Sequence, residues 1–166
     1  MTHRVFLSYP RVADERGAVT DIRIHLQREL QIMTGDRDIL VFQDRTGIKG
    51  GDRWSALLEA ELREASVLVL FLCPLWLNSP WCVKELRYYV EYGLERGADR
   101  PVIPLLWEKT EARHARTEEQ RAILPWVQSR QAVDWQTLRH EDSSYKGYRR
   151  ALGAFAEAVA ATLSAE

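Results

Sequence analysis

The sequence predicts a single α/β domain in which five strands form a doubly wound parallel sheet with helices on both faces. Three features carry that expectation. Short apolar runs alternate along the chain with stretches whose apolar residues recur every three or four positions, the βαβα order of a parallel sheet. The strongest run, Val67-Leu-Val-Leu-Phe-Leu72, is apolar throughout, as suits a central strand covered on both faces. Finally, 166 residues make one domain, enough to bury about two-thirds of the unfolded surface and too few for a second full domain.

Each element follows from its residues. Val5-Phe-Leu7, between Arg4 and Ser8-Tyr-Pro10, reads as the first strand. A polar loop runs to Gly17, after which Val19, Ile22, Leu26, Leu30 and Met33 mark one face of an amphipathic helix that stops near Gly35. Ile39-Leu-Val-Phe42 is the second strand, and Asp44 to Gly51 is a loop in which Gly47, Gly50 and Gly51 make positive φ or close backbone approach easy. Asp52 is placed to cap a helix carrying Trp54, Leu57, Leu58, Leu62 and Ala65. After the Val67–Leu72 strand, Ser79 and Pro80 fit the N-cap and first residue of a helix running to about Arg96 and stopped by Gly97. Pro101-Val-Ile-Pro-Leu-Leu-Trp107 is a fourth strand with its prolines near the start, where ladder donors matter less. Residues 108–122 are charged and lack apolar periodicity, so they read as a loop with a short helical piece before Pro125; Gln128 to Trp135 reads as an edge strand. Tyr148, Leu152, Phe155, Val159 and Leu163 set a terminal helix over about 145–164.

Composition narrows the function. With 23 Lys+Arg against 24 Asp+Glu and a formal net charge of −1, nothing favours nucleic acid or an anionic membrane as the main partner. The longest apolar run, Val67 to Leu77 broken by Pro74, is too short to span a bilayer, and the N-terminus does not read as a signal peptide. Two cysteines, Cys73 and Cys82, make a disulfide framework a poor fit and a reducing, cytoplasmic setting a better one. The loop Gly47-Ile-Lys-Gly-Gly51 lacks the Lys-Ser/Thr ending of a phosphate-binding P-loop, and no GxGxxG follows a strand. The strand ends Ser8-Tyr9 and Cys73-Pro74 lack the carboxylate of a phosphoacceptor receiver. There is no GxSxG elbow, and His3, His25, His114 and His140 are scattered without metal-ligand spacing.

The segment Asn78-Ser-Pro-Trp-Cys-Val-Lys-Glu85 is what remains. Trp81 and Glu85 are four residues apart and share a helix face just after the central strand. An indole offers a stacking wall, and a carboxylate within reach of ribose hydroxyls can stabilise the positive charge that grows at an anomeric carbon as a glycosidic bond breaks. The plainer alternative is that Trp81 packs in the core and Glu85 is an early-helix carboxylate favoured by the helix dipole. On this segment alone the packing reading is the commoner one.

Taken in order, four segments resemble the boxes of a TIR (Toll/interleukin receptor) domain. They are Val5-Phe-Leu-Ser-Tyr9, then Asp44 through Gly51 with Trp54, then Ala65-Ser66 leading into Val67–Leu72, and last Ser79-Pro-Trp-Cys-Val-Lys-Glu-Leu86. The resemblance covers residues 4 to about 107 through its motifs and the remainder through element order, with residues 1–166 taken as one TIR domain. It implies a flavodoxin-like fold and, as in TIR enzymes, cleavage of the bond between nicotinamide and ribose in NAD⁺, which enters as substrate with no cofactor or metal. By this likeness Glu85 is the catalytic glutamate, with Trp81 as the aromatic wall and Cys82 beside it, while Tyr9, Arg11 and Asp44 match loops that hold the dinucleotide. Pro10 and Arg53 depart from residues that some active members carry there.

Two functions of different class follow. The first is an NAD⁺ hydrolase or cyclase gated by self-association through TIR–TIR contacts. The second is a non-catalytic TIR–TIR signalling module; many adaptor members lack the carboxylate that Glu85 supplies. A nucleoside deoxyribosyltransferase, related in fold and in glutamate chemistry, has characteristic motifs that are not evident here. The Ala/Arg/Glu-rich style is similar to bacterial members, which commonly serve antiphage defence by depleting NAD⁺ or making a nucleotide signal. With one domain in 166 residues, the sensor such enzymes need is expected on another chain, in a missing region, or in the domain's own assembly.

Overall fold

A computed structural model describes residues 2–44 and 54–165. Gly47, Gly50, Gly51, the Asp52 cap and Arg53 lie outside the described residues. Strands β1 (Arg4–Ser8), β2 (Leu40–Gln43), β3 (Val67–Leu72), β4 (Val102–Leu106) and β5 (Val133–Asp134) pair in the order β2-β1-β3-β4-β5, all parallel. The chain steps outward from β1 to β2 and then returns past β1 to β3, so the strand order reverses between β1 and β3. Right-handed crossovers on either side of such a reversal send helices to opposite faces. Accordingly α1 (Ala18–Thr34) packs with α6 (Lys146–Ser164), and α2 (Ala56–Glu64) packs with α4 (Pro80–Leu94).

The core follows the apolar pattern. Every residue of β3 is buried, which fits its unbroken apolar run at the centre of the sheet. In α1 the residues Val19, Ile22, Leu26 and Leu30 are buried, whereas Met33, expected on the same face, is exposed in the last turn. Gly35 closes that helix at φ 73°, its N–H donating to the Gln31 carbonyl at 2.9 Å, a left-handed cap that a side chain would strain. Under α6, the Trp135 ring sits edge-on to Tyr148 at 5.6 Å and to Phe155 at 6.0 Å.

Several elements differ from expectation. The cap of α2 is Ser55, whose Oγ accepts from the Leu58 N–H at 3.0 Å, so Trp54 precedes this helix, Ala65 follows it, and Leu57 faces solvent. A short helix α3 (Pro74–Leu77) intervenes before α4, because Pro74 presets the first turn and Cys73 Sγ accepts from the Trp76 N–H at 3.4 Å. Ser79 caps α4 as expected, through the Cys82 N–H at 3.2 Å, and the helix ends at Leu94. Residues assigned to loop and edge strand contain an eleven-residue helix, α5 (Glu118–Gln128). Its start is a capping box: Thr117 Oγ1 accepts from the Gln120 N–H at 3.1 Å, and Gln120 Oε1 accepts from the Thr117 N–H at 3.3 Å. Pro125 lies inside the last turn, where it removes one ladder donor without ending the helix. The fifth strand shrinks to Val133–Asp134 as a result.

Candidate active site

The carboxyl ends of β1 and β3 flank the strand-order reversal, where ligands of open parallel sheets bind. Ser8 ends β1 with its side chain on the same face as Phe6, and α4 lies against this strand. Glu85, 4% exposed, reaches the same point from α4, and Ser8 Oγ donates to Glu85 Oε1 at 2.8 Å. Trp76, carried by α3, donates its indole Nε1–H to Ser8 Oγ at 3.0 Å. Strand β1 thus meets the consecutive helices α3 and α4 at one buried carboxyl group.

Burial pushes the Glu85 carboxyl up to about 8, because ionisation there costs solvation; the Ser8 hydrogen bond opposes the rise and the Asp44 charge adds to it. Trp81, one turn earlier on α4, is half-buried. Its ring packs against Trp54 at a centroid distance of 5.2 Å and an interplanar angle of 57°. Trp54 is itself half-buried and held on both sides, its Nε1 donating to Glu59 Oε1 at 2.8 Å and Lys84 Nζ lying 4.2 Å from its ring. Trp54 and Trp81 thus pack together against the edge of the core.

Tyr9 and Asp44 are also brought together. The Tyr9 hydroxyl donates to the Asp44 carbonyl at 2.7 Å and accepts from Gln43 Nε2 at 3.2 Å; burial pushes this phenol up to about 12. Gln43 is a buried polar residue that sequence reasoning missed, although the polar break at the end of the second apolar run was its signal. Its Oε1 accepts from Arg23 Nε at 2.9 Å, and its Nε2 also donates to Asp14 Oδ2 at 3.0 Å, so it ties the β1 loop to α1 and the end of β2. Arg11, by contrast, is exposed on a 3-10 turn over Arg11–Asp14, and no described contact links it to Glu85. Cys82 is 2% exposed, and burial pushes its thiol up, with the Glu85 charge adding to the rise. Burial favours its neutral thiol form beside the carboxyl.

A separate cleft of about 790 Å³ opens on the other side of the β1 loop, lined in part by Val12, Arg16, Cys73, Trp107, Arg139 and His140. Arg139 pairs there with Glu108, while its Nε is buried without a hydrogen-bond partner. Among the described residues no cluster of three or more His, Cys, Asp or Glu is arranged to hold a metal ion, and no helix is long and apolar enough to cross a membrane.

The comparisons with known proteins agree with this architecture. The sequence profile described as TIR domain matches residues 5–152, which extends the likeness well beyond the motif-bearing segments. Among curated proteins no relative matches. Among solved structures, the TIR domains of the activated Roq1 resistosome, which directly recognises the pathogen effector XopQ, superpose with a TM-score of 0.57 at 18% identity over 92% of this chain and 99% of that one. The RPS4 and RRS1 TIR domain heterodimer superposes with a TM-score of 0.53 at 15% identity, covering 98% of each chain. Those identities speak to fold alone; the profile match over most of the sequence, on a five-stranded parallel sheet of the expected winding, means that the chain belongs to the TIR domain family.

Proposed function

We propose that this TIR domain cleaves the nicotinamide–ribose bond of NAD⁺. The observation that carries the reading is a carboxyl group, Glu85, held at the carboxyl end of the sheet by Ser8, with Trp81 one turn earlier on the same helix. Nicotinamide leaves as a neutral molecule from a cationic ring, so its departure needs little acid catalysis. The barrier lies in forming the oxocarbenium-like ribosyl centre. Ionised Glu85 would meet that charge in a water-poor setting, where electrostatic stabilisation is strong, and would hold the ribose hydroxyls in place. As the C1′–N bond breaks, its electron pair goes to the nicotinamide nitrogen. Attack by water then gives ADP-ribose and a proton, and attack from within the same molecule gives a cyclic isomer. Trp81 serves as the stacking wall, and Tyr9 with Asp44 shapes the neighbouring loop. Two similar structures are assemblies, a resistosome and a heterodimer. By that likeness we place the activity under control of TIR–TIR association and in immune signalling, of the antiphage kind if the source is bacterial.

One observation favours the competing reading of a non-catalytic interaction module. A buried carboxyl pushed up to about 8 is mostly neutral at pH 7, as a purely structural acid would be. Catalysis requires the bound nicotinamide cation to draw the proton off, which its positive charge favours. The deciding experiment incubates concentrated protein, with a crowding agent to drive assembly, with NAD⁺ and follows free nicotinamide by chromatography. Steady release dependent on Glu85 supports the enzyme; no release across assembled states supports the module.

A further inference from the structure

We infer that Ser8 and Trp76 form a one-way hydrogen-bond relay that positions Glu85 and holds it ready to ionise, which makes both of them positioning residues of the site proposed above. The inference rests on that reading for its catalytic consequence, but its physical content stands on geometry.

With Glu85 ionised, the direction of the relay is fixed by the chemistry of its members. An indole Nε1–H is donor-only, a hydroxyl has one hydrogen, and a carboxylate accepts. Trp76 and Ser8 are both 0% exposed, so water cannot substitute for either partner. Trp76 Nε1 occupies a lone pair of Ser8 Oγ at 3.0 Å, which turns the single Ser8 hydrogen toward Glu85 Oε1 at 2.8 Å. When Glu85 is ionised, the Ser8 bond strengthens and opposes the cost of burying the charge. The indole donor polarises the hydroxyl further, so the pair acts as a unit.

No other described group does this work. From α4 itself the neighbour is Cys82, whose thiol burial keeps neutral. From the β1 end it is Tyr9, a phenol also held neutral, and from the β2 end it is Asp44, whose negative charge favours protonated Glu85. Cys73, at the end of β3, is another buried thiol that desolvation keeps protonated. The relay is thus the influence on Glu85 that favours its charged form.

The test is a ¹³C NMR titration of the Glu85 side-chain carboxyl, assigned with Glu85→Gln, in the wild type, Ser8→Ala and Trp76→Phe. We expect the titration midpoint to rise by about one pH unit in Ser8→Ala and by about half a unit in Trp76→Phe, with the rising limb of kcat/KM for NAD⁺ moving by the same amounts. Should Ser8→Ala fail to fold, Trp76→Phe decides. A folded variant of either kind whose midpoint stays within about 0.3 unit of the wild type overturns the relay. If the wild type releases no nicotinamide, the enzymatic reading falls, yet the midpoints still decide whether the relay exists.

Discussion

Glu85 sits where β1, α3 and α4 meet, and the proton on its carboxyl couples folding to pH. Its folded-state value, pushed up to about 8, lies above the ordinary value of 4.5. Between those values the folded protein retains a proton that the unfolded chain has released, so unfolding free energy falls as pH rises, by up to ~1.4 kcal/mol per pH unit. Urea unfolding at a series of pH values should show that decline in the wild type, and Glu85→Gln, which keeps an oxygen for Ser8, should flatten it. A wild-type slope equal to that of the variant would mean the carboxyl is ionised in the fold already. For the free enzyme the same value predicts kcat/KM for NAD⁺ rising with pH to a plateau above about 8. The Glu85 and Trp81 pair was legible in the sequence, because one helical turn separates the two. Ser8 and Trp76 were not, because their partners lie 77 and 68 residues away and meet only through strand and helix placement.

Among the elements, α3 and α4 divide the labour of two tryptophans. Trp76 is wholly buried, whereas Trp81 is half-buried against Trp54 at the rim. Trp76→Ala should therefore cost roughly 3–5 kcal/mol in urea unfolding. Trp81→Ala should cost about 1–2 kcal/mol, in proportion to its smaller burial, and should still lower nicotinamide release at least about tenfold. A stability loss for Trp81→Ala as large as that for Trp76→Ala would return Trp81 to the core. Legibility at this scale followed local signals. Apolar periodicity placed α1 and α6, and the Ser79-Pro80 pair placed the start of α4. Of α5 only a short helical piece before Pro125 was read; its extent, from the Thr117–Gln120 capping box through Pro125 to Gln128, was not. Arg100 shows a different limit. Its guanidinium donates to the Leu62, Arg63 and Ala65 carbonyls at the end of α2 and lies 3.8 Å over the Tyr89 ring. That pin between α2 and α4 is a tertiary contact with no local signature. Of the three tyrosines on α4, Tyr89 is wholly buried and Tyr88 and Tyr92 are half-buried with stacked rings.

For the whole molecule, the alternation of strand and helix was enough to indicate a doubly wound sheet, but the order β2-β1-β3-β4-β5 depends on which way each crossover turns. That reversal places Ser8 beside β3 and within hydrogen-bond reach of Glu85. With a formal net charge of −1, like domains meet little long-range repulsion on stacking. Specific activity should accordingly rise with protein concentration, in step with the sedimentation coefficient measured by analytical ultracentrifugation. Constant specific activity across dissociated and associated states would remove assembly from the mechanism. The most direct test of the central claim is kcat/KM for nicotinamide release from NAD⁺ by wild type and Glu85→Gln, at one high protein concentration and at about pH 8. The predicted result is turnover by the wild type and a loss of about a hundredfold or more in the folded variant; turnover by Glu85→Gln within about threefold of the wild type would contradict it.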